Sequence, residues 1–471
     1  MNTLPLSIGK IHFIGIGGIG MSGIAEVLHE LGYKITGSDI SNNSNIERLI
    51  KLGINIKIGH SHKNINKKSI VVVSSAINKD NVELVSAKDK NVPVVHRSEM
   101  LNELMRLKWS IAVAGTHGKT STTSIISSIL FHSGLDPTVI NGGIIKGWGS
   151  NARLGKGDWM VVEADESDGS FTKFSPTVAI VTNIDKEHLD FHKTFKNLKS
   201  SFQKFLSSIP FYGFKVLCID HPVVQTLIPL NRDRRLITYG KSSNADVQAT
   251  NIKFLNKQMI FDICFSNRMK VKNKVWENVC LPMLGDHNVL NCLASISVAA
   301  EMGIEEENIK KSLKTFEGIK RRFEVKGRTI DKITVVDDYC HHPVEIKSVL
   351  NSSRIYAENN KVFAVFQPHR FSRINDLFNE FCGSFNEANH VFVTDIFTAG
   401  EEPISGINKE NISIGIKDYG HKNVYTVESK IDLIQIISNL SNSGDLVVFM
   451  GAGSITSWSD TFVNDLDSFG K

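Results

Sequence analysis

The sequence predicts an α/β protein of three domains, bounded at residues 1–109, 110–322 and 323–471. Three observations predict it. The chain has 471 residues, too many for one ordinary core when domains run to roughly 100–200 residues. Short apolar runs followed by segments of helical period recur along its whole length. Each such run stops at a polar or glycine-rich cluster, the arrangement expected of parallel strands whose carboxyl ends carry binding loops.

In the first domain, residues 11–14 read as a strand. Gly15-Ile16-Gly17-Gly18-Ile19-Gly20 follows, and then residues 21–31 run at helical spacing to Gly32. The next strand, 33–37, delivers Ser38 and Asp39, and the strand 71–73 ends in Ser74-Ser75. The second domain restarts the pattern with a strand at 111–114 and a helix over 121–131, whose Ile125, Ile126, Ile129 and Leu130 share a face before Gly134. Strands at 159–162 and 178–181 run straight into acidic or histidine-bearing residues. Between 245 and 282 the pattern becomes alternation with turn-like breaks, as at 252–255 and 259–265, and predicts antiparallel strands decorating this domain. The third domain has strands at 333–336, 362–366, 391–393 and 446–450. They stop at Asp337-Asp338-Tyr339, Gln367-Pro368-His369-Arg370, Thr394-Asp395 and Gly451-Ala452-Gly453-Ser454.

Composition narrows the function classes. A hydrophobic fraction of 41% with 22% charged residues describes a globular protein. No apolar run approaches the roughly 20 residues that span a bilayer. Residues 1–5 lack the pattern of a targeting segment, so a cytoplasmic location is expected. The net charge of +5 is scattered among acids without aromatic interleaving, which argues against a nucleic-acid partner. Lys320-Arg321-Arg322 is the one basic cluster, and a nucleotide phosphate accounts for it equally well. The six cysteines, Cys218, Cys264, Cys280, Cys292, Cys340 and Cys382, lack the close spacing of a zinc or redox site.

The strongest single motif is Gly115-Thr116-His117-Gly118-Lys119-Thr120, between a strand and a helix that opens near Ser121. Glycines let backbone amides approach phosphate oxygens, Lys119 offsets β/γ charge, and the Thr120 hydroxyl suits Mg²⁺. Val113 stands where the full P-loop pattern has glycine, so this is a variant loop; a purely structural turn is the bland alternative. Glu163, at a strand end, suits a Mg²⁺ shell with Thr120. His188 is either a further ligand or a hydrogen-bonding residue. Gly15, Gly17 and Gly20 with Asp39 match a dinucleotide fingerprint, yet nothing marks a hydride-transfer centre, and the same loop can hold any pyrophosphate, including that of a UDP-sugar. Asp39 then binds a ribose or uracil group, or caps a turn. Asp286-His287-Asn288 with Asn291 opens a helix, where plain N-capping competes with a binding role. Pro343 in His341-His342-Pro343 suits the first position of another helix.

Taken together these blocks resemble the Mur ligase family over essentially the whole chain. The resemblance rests on the Gly15 loop, the Lys119 loop, Glu163-Ala164-Asp165-Glu166-Ser167-Asp168 and Asp286-His287-Asn288-Val289-Leu290-Asn291. It extends to Arg321-Arg322-Phe323, Asp337-Asp338-Tyr339 with His341-His342-Pro343, His369-Arg370-Phe371-Ser372-Arg373 and Ala399-Gly400-Glu401. It implies a Rossmann-like UDP-substrate domain, a P-loop-type ATPase domain and a Rossmann-like amino-acid domain. The implied reaction is ATP-dependent ligation of L-alanine to the carboxylate of UDP-N-acetylmuramate through an acyl phosphate, in peptidoglycan precursor synthesis. By the same matching, Gly115 to Ser121 (with Thr116, His117 and Gly118), Asn288, Asn291, Arg322 and Asp338 would bind ATP. Thr120, Glu163 and His188 would hold one or two Mg²⁺ ions. Gly15, Gly17, Gly18, Gly20, Met21, Ser22, Asp39 and Ser75 would bind the UDP-sugar, and His341, His369, Arg370 and Arg373 would line the alanine and muramate carboxylate region. Lys119, Glu163, His188, His341 and Arg373 would act in catalysis. Three rivals remain open at this point: a sister ligase adding a peptide or another amino acid, an NAD-dependent oxidoreductase built on the first loop, and a non-catalytic nucleotide-binding regulator.

Overall fold

The computed structural model describes residues 9–469; residues 1–5, read above as lacking a targeting segment, lie outside them. Three sheets organise the chain. The first holds β1 (Lys10–Ile14), β2 (Ile35–Asp39), β3 (Asn55–Ile58), β4 (Ser69–Val73) and β5 (Val94–His96), all parallel in the order β3-β2-β1-β4-β5. Strand order reverses between β1 and β4, and at such a switch point the loop leaving the central strand faces an open crevice. Gly15 to Gly20 leave β1 there.

The second sheet holds β6 (Trp109–Ala114), β7 (Thr138–Ile145), β8 (Ser150–Arg153), β9 (Trp159–Glu163), β10 (Val178–Val181), β11 (Phe214–Cys218), β12 (Arg235–Gly240), β13 (Val247–Leu255), β14 (Gln258–Phe265) and β15 (Val275–Leu281). Its order is β15-β14-β13-β12-β11-β10-β6-β9-β7-β8. Parallel neighbours β10 and β9 flank β6, so the Lys119 loop emerges between Glu163 at the end of β9 and the segment following β10. The turn joining β13 to β14 places Asn256 and Lys257 at φ of 51° and 62°, the left-handed pair that a two-residue hairpin turn requires.

The third sheet runs β16-β17-β21-β18-β19-β20, from β16 (Glu324–Arg328), β17 (Thr334–Asp338), β18 (Val362–Phe366), β19 (His390–Val393), β20 (Val424–Thr426) and β21 (Leu446–Met450). Only β16 is antiparallel. Alternation in β18 sends Val362, Ala364 and Phe366 into one apolar cluster and Phe363 and Val365 into another. Both faces are therefore covered, as in a doubly wound fold. Among the described residues no helix is long and apolar enough to cross a membrane.

By contacts the chain forms two compact units. One comprises the first two sheets, up to residue 253 with 260–282 and 288–317; the other comprises 318–471 with 254–259 and 283–287. Within the first unit a single apolar cluster runs from Ile11 and Leu28 through Val162 to Phe202 and Leu217. A polar knot adds to it. Arg48 donates to Glu26 at 2.5 Å, to Ser150 and to Asn151 at 2.7 Å, while Asn151 donates to the carbonyl of Ile19 at 2.7 Å. The helix that carries the first glycine loop is thus fastened to the second sheet. Replacing Glu26 by Ala should cost about 2–3 kcal/mol, because Arg48 would lose its partner in a largely buried setting. Replacing Arg106, in an exposed pair with Glu103, should cost under about 0.5 kcal/mol. Denaturant midpoints of the two variants check this, and equal effects would contradict it.

Candidate active site

The first loop is tied to β2 through its backbone. The amides of Gly15 and Ile16 donate to the carbonyl of Ser38 at 2.8 and 3.0 Å, and that of Gly17 donates to Asp39 Oδ2 at 2.8 Å. Asp39 is 9% exposed. Of its two sequence readings, loop capping is the one this geometry supports. Gly18 is the N-cap of the helix Ile19–Glu30, and Ser75 sits exposed in the turn after β4. Two residues expected at the substrate have buried side chains. Met21 is buried in the apolar cluster, and Ser22 is buried with its hydroxyl donating to the carbonyl of Ile19 at 3.0 Å. Their side chains pack inside, while their backbone lies near the start of the helix Ile19–Glu30.

The Lys119 loop is held from two sides. Thr116 and His117 amides donate to the Asn183 carbonyl at 3.1 Å and side chain at 2.7 Å, and Thr182 donates to the His117 carbonyl at 2.7 Å. Gly118 opens the helix Lys119–His132 at φ of 81°. A Cβ there would be strained and would run into Asn291. Asn291 in turn accepts from Thr122 at 3.3 Å and donates to Asn288 at 3.2 Å. The structure therefore brings Asn291 against the phosphate loop, with Asn288 beside it.

Acidic groups crowd this loop. Lys119, 13% exposed, donates to both oxygens of Glu166, which is 1% exposed, at 2.9 and 2.8 Å. It also donates to the carbonyls of Gly115 and Thr116 at 2.6 and 3.1 Å. Burial alone would pull the ammonium down, but Glu166, Asp165 and Glu163 outweigh it and hold Lys119 above its ordinary value. Burial, with Asp165 and Glu187 adding to it, raises the Glu166 carboxyl above its ordinary range against the opposing pull of Lys119. Thr120 donates to Glu163 Oε2 at 2.9 Å, and the Gly142 amide reaches the same oxygen at 2.8 Å. His188, at φ of 55°, lies 3.8 Å from Glu166 and 4.0 Å from Glu187. The ligand atoms of Glu166, Glu187 and His188 lie within 4.8 Å of one another. The expected metal set thus falls into a Thr120–Glu163 pair and a His188 group that includes two carboxylates not anticipated. Hard oxygen donors beside a phosphate loop fit a divalent cation of the Mg²⁺ type.

The second unit gathers the other expected residues. Asp338 is buried and spoken for: Oδ2 accepts the Phe323 amide at 2.7 Å and Oδ1 that of Cys340 at 2.8 Å. Arg321 and Arg322 lie over the Tyr339 ring at 4.8 and 5.4 Å. Helix Pro343–Ala357 starts with Pro343 at its first position and His342 as its cap, as expected. The His341 and His369 rings lie 5.6 Å apart, and His369 stacks on Phe397 at 5.4 Å. Arg373 Nη1 lies 3.1 Å from His369 Nδ1. Burial, then His341 and the arginines 373, 370 and 321, press His369 down to about 3, so its ring is neutral and Nδ1 can accept from Arg373. Arg370 holds φ of 69° and faces Glu401 at 3.6 Å. Glu401 also accepts from the Ser372 amide at 3.0 Å and hydroxyl at 2.7 Å. Sequence reasoning missed Glu166, Glu187 and Asn183 beside the phosphate loop. For Glu166 the signal was present in the acid density of residues 163–168; for the others it was not.

Three family models cover the chain: the Mur ligase family catalytic domain over residues 10–109, the Mur ligase middle domain over 113–299, and the Mur ligase glutamate ligase domain over 321–453. The chain belongs to the Mur ligase family. Its curated relatives include a UDP-N-acetylmuramate–L-alanine ligase of Rhodospirillum centenum, 53% identical over 99% of this chain and 96% of the relative. One of the same name from Gluconobacter oxydans is 50% identical over 100% and 98%. Among solved structures, the UDP-N-acetylmuramate–alanine ligase of Thermotoga maritima superposes with a TM-score of 0.83 at 29% identity, over 98% of this chain and all of that one. A murein peptide ligase of Psychrobacter arcticus, at 23% identity and a TM-score of 0.72 over 98% and 99% of the two chains, shares the fold. For this Mur ligase, replacing Glu163 by Ala should leave the thermal midpoint nearly unchanged, whereas Lys119→Ala should lower it because Glu166 loses its buried partner; either change should lower turnover by about 10²–10³ or more, the scale of losing one preorganised electrostatic group. A well-folded variant with near-native turnover would show the assigned role to be wrong.

Proposed function

We infer that this Mur ligase joins L-alanine to the carboxylate of UDP-N-acetylmuramate at the expense of ATP, in peptidoglycan precursor synthesis. The observation that carries the reading is similarity at about half of all positions, end to end, to ligases of that name. The division into a UDP-sugar domain (1–109), an ATP domain (110–322) and an amino-acid domain (323–471) is part of it.

A carboxylate is a poor electrophile, and phosphorylation makes it a good one. One carboxylate oxygen attacks the γ-phosphorus of ATP and ADP leaves. The alanine amine then adds to the acyl carbon, and phosphate departs with that oxygen. The loop amides and Lys119 offset the charge of the transferring phosphoryl group. Lys119 exchanges Glu166 for phosphate oxygens, and Glu166 keeps the ammonium charged and aimed until then. A divalent cation held by Thr120 and Glu163, with Glu166, Glu187 and His188 as a second donor set, would share that charge. The alanine carboxylate suits a bidentate guanidinium, Arg373 or Arg370. His341 is the acceptor for the amine proton. Its Nδ1 lies 3.0 Å from the Tyr339 carbonyl, which makes Nδ1 the protonated nitrogen and Nε2 the acceptor.

Phosphate release should require ATP, Mg²⁺, UDP-N-acetylmuramate and L-alanine together. Turnover that persists with any one omitted would defeat the reading. Methyl-sized discrimination is worth roughly 10–200-fold, so glycine and L-serine should react less efficiently than L-alanine by about that factor. Arg373→Lys should lower kcat/KM for L-alanine more than it weakens ATP binding, because the fork is lost and the charge kept. A preference for a peptide or an acidic amino acid would favour a sister ligase instead.

A further inference from the structure

Arg97 opens the helix Arg97–Met105 directly after β5. Its side chain is 18% exposed. It packs on the first glycine loop: a Cβ built on Gly20 would lie 2.9 Å from Arg97 Nη1 and 3.3 Å from its Cδ, so glycine is what lets the guanidinium approach. On its other side Arg97 Nη2 faces Asp165 Oδ2 at 3.6 Å, beyond hydrogen-bond length, and Asp165 is itself 40% exposed. The next residue, Glu166, is the one that grips Lys119. Lys119 and Arg97 together hold the Asp165 carboxyl below its ordinary range. The neighbouring His96 Nε2 lies 3.7 Å from Asp168. The β5 corner therefore holds both ends of the acidic segment 165–168 and places one guanidinium between Gly20 and that segment.

That guanidinium has five N–H donors, and among the described residues it makes no hydrogen bond; Asp165 is its one charge partner. Its donors are uncommitted within the protein and reach solvent, where a ligand can take them. Building on the substrate reading above, we propose that Arg97 binds the reacting carboxylate of the sugar-nucleotide and holds it toward the phosphate loop. The chemistry selects this group. The pyrophosphate would be served by the first-turn amides of the helix Ile19–Glu30, since those of Gly15 to Gly18 are taken up within the fold. The carboxylate must instead approach a γ-phosphate of like charge, and it needs a cation that belongs to neither phosphate. A planar fork meets a planar carboxylate bidentately and fixes which oxygen points at phosphorus. Asp165 keeps the fork oriented without consuming its donors.

The test is calorimetric titration of the native chain, Arg97→Lys and Arg97→Gln with UDP, UDP-N-acetylglucosamine and UDP-N-acetylmuramate; only the last carries the carboxylate. Both variants should bind UDP and UDP-N-acetylglucosamine within about twofold of native, which also reports that they fold. Each should bind UDP-N-acetylmuramate roughly 10- to 100-fold more weakly, the scale of a charge-assisted pair, and turn over more slowly at saturating substrate. Equal weakening toward all three compounds would assign Arg97 to the pyrophosphate and overturn the proposal, as would unchanged binding and turnover. A native chain that bound UDP-N-acetylglucosamine but not UDP-N-acetylmuramate would remove the substrate reading itself, and the proposal with it.

Discussion

The contact between Lys119 and Glu166 sets the terms for the rest of the phosphate-loop site. An ammonium that is 13% exposed against a carboxylate that is 1% exposed is stable only because each satisfies the other and the loop carbonyls complete the shell of donors and acceptors. The pair makes Lys119 a fixed positive charge, and it concentrates Glu163, Asp165, Glu166 and Glu187 within one short region. Such a crowd of acids is costly for the free protein. It is also the environment in which a cation is welcome and a polyphosphate is accepted only with its counter-charge.

The fold supplies the positions cheaply. Glu163, the segment carrying His188, and the Lys119 loop leave the carboxyl ends of three adjacent parallel strands, β9, β10 and β6. Where regular geometry does not suffice, the backbone is bent: His188 and Arg370 both hold positive φ, 55° and 69°, in a region that non-glycine residues enter at a cost. In each case the residue lies beside groups assigned to the chemistry, where surrounding hydrogen bonds and ion pairs can hold the conformation.

Much of this was legible in the chain. Strands 362–366 and 446–450 were read with the bounds the structure has, because they are uninterrupted apolar runs covered on both faces. The phosphate loop, Glu163 and the helix starting at Pro343 were legible because turn, cap and acid chemistry are local. β7 and β11 were not. β7 contains Asn141-Gly142-Gly143, which reads as a turn, and β11 carries Lys215, buried only because Asn231 and Asp233 accept from it at 3.0 and 3.1 Å. Asp39 was half legible: its spacing from the glycines was plain, but the Gly17 amide that it holds was not. That the Met21 and Ser22 side chains are buried was not legible, because adjacency to a glycine motif says nothing of which way a helix turns. Arg97 gave no local signal at all, since its meaning depends on Gly20 and Asp165, 77 and 68 positions away in sequence.

The central chemical claim is that a carboxylate oxygen passes to phosphate by way of an acyl phosphate. It is tested most directly by running the reaction with UDP-N-acetylmuramate labelled with ¹⁸O in its carboxylate and weighing the products. The account predicts that each phosphate released carries one ¹⁸O and that the new amide retains the other. Unlabelled phosphate, with the label lost to water or kept whole in the product, would contradict it.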